Sequence, residues 1–182
     1  MDSFAAFDPR SEVSGAALLS FFYSLTSESI MPYLEYHGLA DINPDGWYPV
    51  QAALDALHDI AVNDPSAMFD FVGIGIAAAD YMRLPDHYDD LDPAQALEHF
   101  NEVHRLNHRG GSVGEYGYEE LGPGHLRVLA CVPYPDDLVY GLLYGMLRHH
   151  LPPQTYFTVA YDDSTPRRSQ GGEVTAFDLH WQ

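Results

Sequence analysis

The Gly110-Gly111 pair marks a change of period, and that change limits the fold more than any other feature of the chain. From about Ser11 to His108 the apolar residues recur at helical spacing; after the glycines they alternate, one residue in and one out. A chain that switches once from helices to strands builds an antiparallel sheet with helices gathered on it, the α+β class. Helices are predicted over Ser11–Leu25, Glu28–Tyr36, Trp47–Val62, Pro65–Arg83 and from Asp92-Pro93 to about His108. His37-Gly38 stops the second of these, and Pro49 sits in the permitted first turn of the third. Strands are predicted over Gly114–Tyr118, His125–Val132, Thr155–Tyr161 and Val174–Trp181, with Gly122-Pro123-Gly124 turning the first into the second. One helix, Asp136–His150, interrupts them, capped by Asp136 or Asp137 and ended by Pro152-Pro153. The expected architecture is one domain over 1–182, in which a helical N-terminal half packs on a C-terminal antiparallel four-stranded sheet with one inserted helix. Residues 1–10 read as a disordered lead, 11–109 as mainly helical, and 110–182 as the sheet plus helix 136–150.

Charge narrows the partners. The 27 acidic residues face 8 basic ones, all arginine, for a formal net charge of −19. Such a chain repels phosphate backbones and anionic headgroups, so neither nucleic acid nor a membrane surface is an expected partner. Aspartate in excess of glutamate, with no lysine at all, suggests a GC-rich or salt-adapted source, bacterial in kind. The N-terminus MDSFAAFDPRSEV lacks a basic, then apolar, leader, and no long uncharged apolar run occurs; a soluble cytoplasmic protein is the expectation. Cys131 stands alone inside the apolar run VLACV and reads as a buried thiol.

Three histidines lie in EHFNEVHRLNHRGG. On a helical wheel with Leu97 at zero, Phe100 falls near about 300°, His104 near about 340°, His108 near about 20° and His99 near about 200°. His99 therefore faces solvent and His104 faces inward, while His108 ends the helix, where the helix dipole accounts for it. His104 and His108 have the i, i+4 spacing of a metal pair, but HRLNH lacks the metalloprotease glutamate and shows no third ligand; a satisfied core histidine is the alternative for His104. In DDLVYGLLYGMLRHH, Gly141 and Gly145 share a face that admits a flat ligand or a neighbouring backbone, and Tyr140 and Tyr144 flank them. This helix and the His104 helix are the best walls for a pocket. Arg167-Arg168 lie in a turn-rich loop, open to an anion or to solvent, and the carboxylates of LPDHYDDLDP lack the glycine and final glutamate of a calcium loop.

The order of these elements, the segment HLRVLACVPYPDDLVYGLLYGML and the closing pair Phe157–Tyr161 and Val174–Trp181 resemble the superfamily of heme-nitric oxide/oxygen binding (H-NOX) domains, bacterial vinyl-reductase-type domains and TRAPP subunits. The likeness spans most of residues 11–182 and is sharpest over about 95–181. It implies a ligand-sensing module. In H-NOX domains the proximal heme histidine lies on the helix before the sheet, and the matching position is His104. Their Tyr-x-Ser-x-Arg grip on the heme propionates has no counterpart in VLACVPYP, and Arg127 is only a loose substitute. The cysteines common in the terminal hairpin of vinyl-reductase-type domains are missing too.

The leading expectation is a small-molecule-binding sensory or regulatory domain, more a binder than an enzyme. A mostly apolar pocket would lie between the His104 helix, the sheet and the glycine-bearing helix. His104 contacts a small hydrophobic ligand; Tyr134, Tyr140, Gly141, Tyr144 and Gly145 line or close the pocket; a homodimer face or a signalling partner receives the output. The alternatives are a heme-based gas sensor with His104 as the axial iron ligand, a non-catalytic assembly subunit of TRAPP type, and an enzyme acting on a tetrapyrrole vinyl group.

Overall fold

The computed structural model describes residues 5–23, 30–63 and 71–182. Where the period is two, expectation and structure agree closely. Strands β4 (Glu115–Gly122), β5 (His125–Cys131), β6 (Phe157–Tyr161) and β7 (Thr175–Trp181) form a four-stranded antiparallel sheet in the order β4-β5-β7-β6. Gly124 takes a φ of 65° in the β4–β5 turn, which only glycine does cheaply. Alternation puts Leu126, Val128 and Ala130 into the core, where Leu126 faces Leu179 and Val128 faces Phe177 across the strands. Arg127 points to the other face and is held by three carboxylates: Asp178 at 3.0 Å, Asp162 at 3.2 Å and Glu119 at 4.0 Å. Cys131 shares that face and is half-buried, not sealed in the core as its apolar neighbours suggest.

The inserted helix α7 runs Asp136–His150, as expected. Its cap differs. The N-cap is Pro135, and Asp136 instead binds the Thr175 hydroxyl at 2.5 Å and the Ser169 backbone N–H at 3.1 Å, tying the helix start to the β6–β7 loop. The same loop spends both arginines: Arg168 donates to the Val132 carbonyl, and Arg167 covers the Tyr161 ring and pairs with Asp163 at 2.7 Å. Arg167 is thus neutralised by a carboxylate, whereas Arg168 bonds a neutral carbonyl and lies over the Phe7 ring.

The N-terminal half departs further from the periodic reading. Three short strands, β1 (Glu12–Ser14), β2 (Trp47–Pro49) and β3 (His108–Arg109), pair as a small antiparallel sheet in the order β2-β1-β3. Each falls at the end of a segment whose spacing predicts a helix. Strands of two or three residues are too short to show alternation, and their ladder forms between segments far apart in sequence. Residues 5–10 are tied down as well, through Ala6 N–H to the Gln51 side chain at 2.8 Å. Helix α1 therefore starts at Gly15 (Gly15–Tyr23), followed by α2 (Met31–Tyr36), α3 (Val50–Asn63) and α4 (Phe71–Tyr81). The expected helical residues 24–25, 28–29 and 65–70 lie outside the described ones. The predicted helix over 93–108 breaks at His99 (φ −85°, ψ 5°) into α5 (Pro93–Glu98) and α6 (Phe100–Asn107). A capping box between Asp92 and Gln95 starts α5.

Helix α7 sits between α4 and the sheet. A Cβ on Gly75 would meet the Leu138 carbonyl oxygen, one on Gly141 the Val72 carbonyl oxygen, and one on Gly145 the Cβ of Ala79. The two helices thus touch backbone to backbone at these glycines. The face of α7 next to the glycines lies on β6, where the Tyr140 hydroxyl donates to the Val159 carbonyl at 2.7 Å and Tyr144 packs on Phe157 with ring centroids 4.7 Å apart.

Candidate ligand site

A cavity of about 40 Å³ lies where α1, α4, α6 and α7 converge over the sheet. Helix α1 contributes Ala17, Ser20 and Phe21, and the end of α4 contributes Ala78 with Met82 just beyond it. Leu138 and Leu142, one turn apart on α7, close another side. The remaining wall comes from α6 and its neighbours: Phe100, Val103, His104 and Asn107, then His108, Tyr116 and Tyr134. The spacing of Phe100, Val103, His104 and Asn107 is one face of a helix, and all four are buried.

His104 does point inward, 6% exposed, whereas the His99 side chain is about half exposed. The His104 Nε2–H donates to the Val113 carbonyl at 2.9 Å. A carbonyl can only accept, so it fixes the proton on Nε2 and leaves the lone pair on Nδ1. His108 is not a helix-ending surface residue. It is extended (φ −137°, ψ 151°), starts β3 and is buried at 7% exposure, so the helix dipole does not explain it. Its Nδ1–H donates to the His104 carbonyl at 2.8 Å, and its Nε2 accepts from the Tyr134 hydroxyl at 2.6 Å. The two imidazoles pack with centroids 4.2 Å apart, Tyr116 meets His104 edge-on at 5.4 Å, and Phe21 meets Tyr134 edge-on at 5.5 Å.

Burial dominates the electrostatics of this wall. Loss of hydration pushes the His104 pKa down, and it pushes that of His108 down to about 3, with the neighbouring His104 adding to the effect. The Tyr116 and Tyr134 hydroxyls are pushed up by the same cause, so all four groups are neutral at pH 7. No described lining residue is charged. Asn107 completes the polar rim: its Nδ2 donates to the Val103 and Arg83 carbonyls, both at 2.9 Å, and its Oδ1 accepts from Ser14 at 3.2 Å.

Of the side chains singled out from sequence, His104 and Tyr134 meet at the cavity. Tyr140, Gly141, Tyr144 and Gly145 do not line it; the glycines face α4 and the tyrosines face β6. Asn107, His108 and Tyr116 are wall residues that the sequence pattern does not pick out. The wheel that selects His104 also places Asn107 near about 280°, inside the same stripe, so its polarity alone conceals it. Among the described residues no group of three or more His, Cys, Asp or Glu side chains is arranged to hold a metal ion. No described helix is long and apolar enough to cross a membrane.

No family model and no curated protein matches the sequence. Solved structures do match in shape. An H-NOX protein from S. oneidensis in the Fe(II)NO ligation state superposes with a TM-score of 0.71 at 15% identity, covering 93% of this chain and 99% of that one. An oxygen-binding H-NOX domain related to soluble guanylate cyclases gives 0.68 at 10% identity, with 92% of each chain covered. The unliganded Fe(II) H-NOX protein from K. algicida gives 0.64 at 12%, covering 93% and 96%. The helices gathered over an antiparallel sheet, in this order along the chain, are the H-NOX fold.

Proposed function

We propose that this chain is a ligand-sensing domain that binds a small apolar molecule in the cavity beneath His104. The observation that carries this reading is the uncharged, mostly apolar cavity walled by the paired histidines and Tyr134, on a fold whose solved examples include nitric oxide and oxygen complexes. An output route is at hand. The His104–Val113 bond ties the cavity to the 110–114 loop, whose ends Gly110 (φ 87°) and Gly114 (φ 83°) take conformations that favour glycine. That loop leaves β3, where Arg109 binds Glu12 at 2.7 Å and lies over the Trp47 ring. A ligand that moves His104 thus moves the small N-terminal sheet, and a partner protein docked there reads the change.

A heme-based gas sensor with His104 as axial ligand is the second reading, favoured by the fold alone. The residues present do not fit the group. A carbonyl-bound imidazole is the common state of a metal-ligating histidine, so the Val113 bond by itself is neutral on this point. It leaves Nδ1, however, the nitrogen beside the backbone, where a flat macrocycle would strike the residue's own helix. The cavity of about 40 Å³ falls far below the roughly 300–1,000 Å³ of sites for larger ligands. The propionates would also want cations. Among the described residues no arginine lines the cavity, and Arg127 is bound by three carboxylates on the far face of the sheet.

Native mass spectrometry and an absorption spectrum of the freshly purified protein test the proposal together. The expected result is a colourless chain that carries, or takes up from a panel of small apolar compounds, one equivalent of a neutral molecule. An apo chain that ignores the whole panel would overturn it.

A further inference from the structure

We infer that the cavity admits a gas-sized ligand, neutral and apolar and of only a few heavy atoms, directly against the protein with no macrocycle between. This inference rests on the sensing role proposed above and names the ligand class. Size comes first: the free space is about 40 Å³, room for a molecule of a few heavy atoms and far too little for a macrocycle. Polarity comes second. Most polar groups of the wall already have partners: Ser20 the Ala17 carbonyl at 2.6 Å, His108 the His104 carbonyl and the Tyr134 hydroxyl, and Asn107 the Val103 and Arg83 carbonyls; the His104 Nδ1 lone pair is an acceptor only and offers an anion nothing. A charged ligand would shed its hydration here and find no counter-charge, whereas a neutral apolar one loses little. Such a space, lined mostly by alanine methyls, leucine ends and aromatic faces, offers a small apolar guest dispersion contacts of the kind that apolar cavities offer xenon.

Xenon is the probe. The ¹²⁹Xe resonance of dissolved xenon, followed against protein concentration, is to be measured for the full chain and for variants that shrink or enlarge the cavity. For the unaltered protein we expect a shift that rises several-fold more steeply with concentration than surface contact produces. Ala78→Leu, or the milder Ala17→Val should that variant fail to fold, cuts the slope at least in half. Leu142→Ala steepens it and adds affinity for benzene. Identical slopes in the unaltered and filled proteins would overturn the inference. So would a stoichiometric Soret band on titration with hemin that His104→Ala abolishes. A chain blind to xenon that nevertheless retains a larger apolar molecule in native mass spectrometry would sink the gas-sized class and leave the sensing role standing; a chain blind to both would sink the two together.

Discussion

Acid should unfold this protein through His108. In the folded chain its pKa is about 3, against an ordinary value of 6.5. Between those values the unfolded chain binds a proton that the folded one refuses, so the stability that His108 contributes is complete above about pH 6.5 and is lost as the pH falls towards 3. For one site with these two pKa values, the loss between pH 7 and pH 4 is about 3 kcal/mol. That is a large share of the roughly 5–15 kcal/mol that holds a domain together. His104, also shifted down by burial, adds to the loss in the same direction. The many carboxylates titrate in this range as well, so the clean quantity is a difference. His108→Phe keeps a ring in the space and removes the proton site. It leaves the Tyr134 hydroxyl without its acceptor, a penalty that does not change with pH across this window. Urea unfolding followed by far-UV circular dichroism at intervals from pH 7 to pH 4 gives both stability curves. The gap between them should close by about 3 kcal/mol on acidification, the native protein losing more. Parallel curves would refute the reasoning, because they would mean that His108 is hydrated or protonated in the folded state.

Other substitutions test the neighbouring contacts. Tyr134→Phe keeps the ring but strands the buried His108 Nε2, and should cost about 1–3 kcal/mol in the same urea assay. Gly141→Ala drives a methyl into the Val72 carbonyl and forces α4 away from α7; a loss of about 1–3 kcal/mol or more is expected, visible as a lowered midpoint of thermal unfolding. Tyr88 is fully buried in the loop before α5 with its hydroxyl on the Ala96 carbonyl at 2.6 Å, so Tyr88→Phe should cost about 1 kcal/mol and raise amide exchange at the start of α5.

How much of this is legible in the residues depends on the length over which each pattern runs. The four strands of the larger sheet and the helix 136–150 carry enough repeats for period and punctuation to define them, and they stand where expected except that β4 runs on past Tyr118 to Gly122. Glu12–Ser14, Trp47–Pro49 and His108-Arg109 are too short to show a period, and they become strands only because the fold brings them side by side. His104 is legible because one face of α6 is apolar around it. His108 falls on a helix end in sequence because a wheel continues through any residue it is given, and the extended backbone at that position is set by pairing with Val13. The glycines of α7 announce a close approach correctly, but a wheel does not say what approaches; here it is the backbone of α4.

The ligand role of the cavity can be read most directly from alanine and leucine methyl NMR spectra recorded while a graded series of apolar molecules is added. Saturable shifts are expected that begin with the smallest members and centre on Ala17, Ala78, Leu138 and Leu142. Methyls that stay unmoved there, or that move only on the outer face of the sheet around Leu129, would contradict that role.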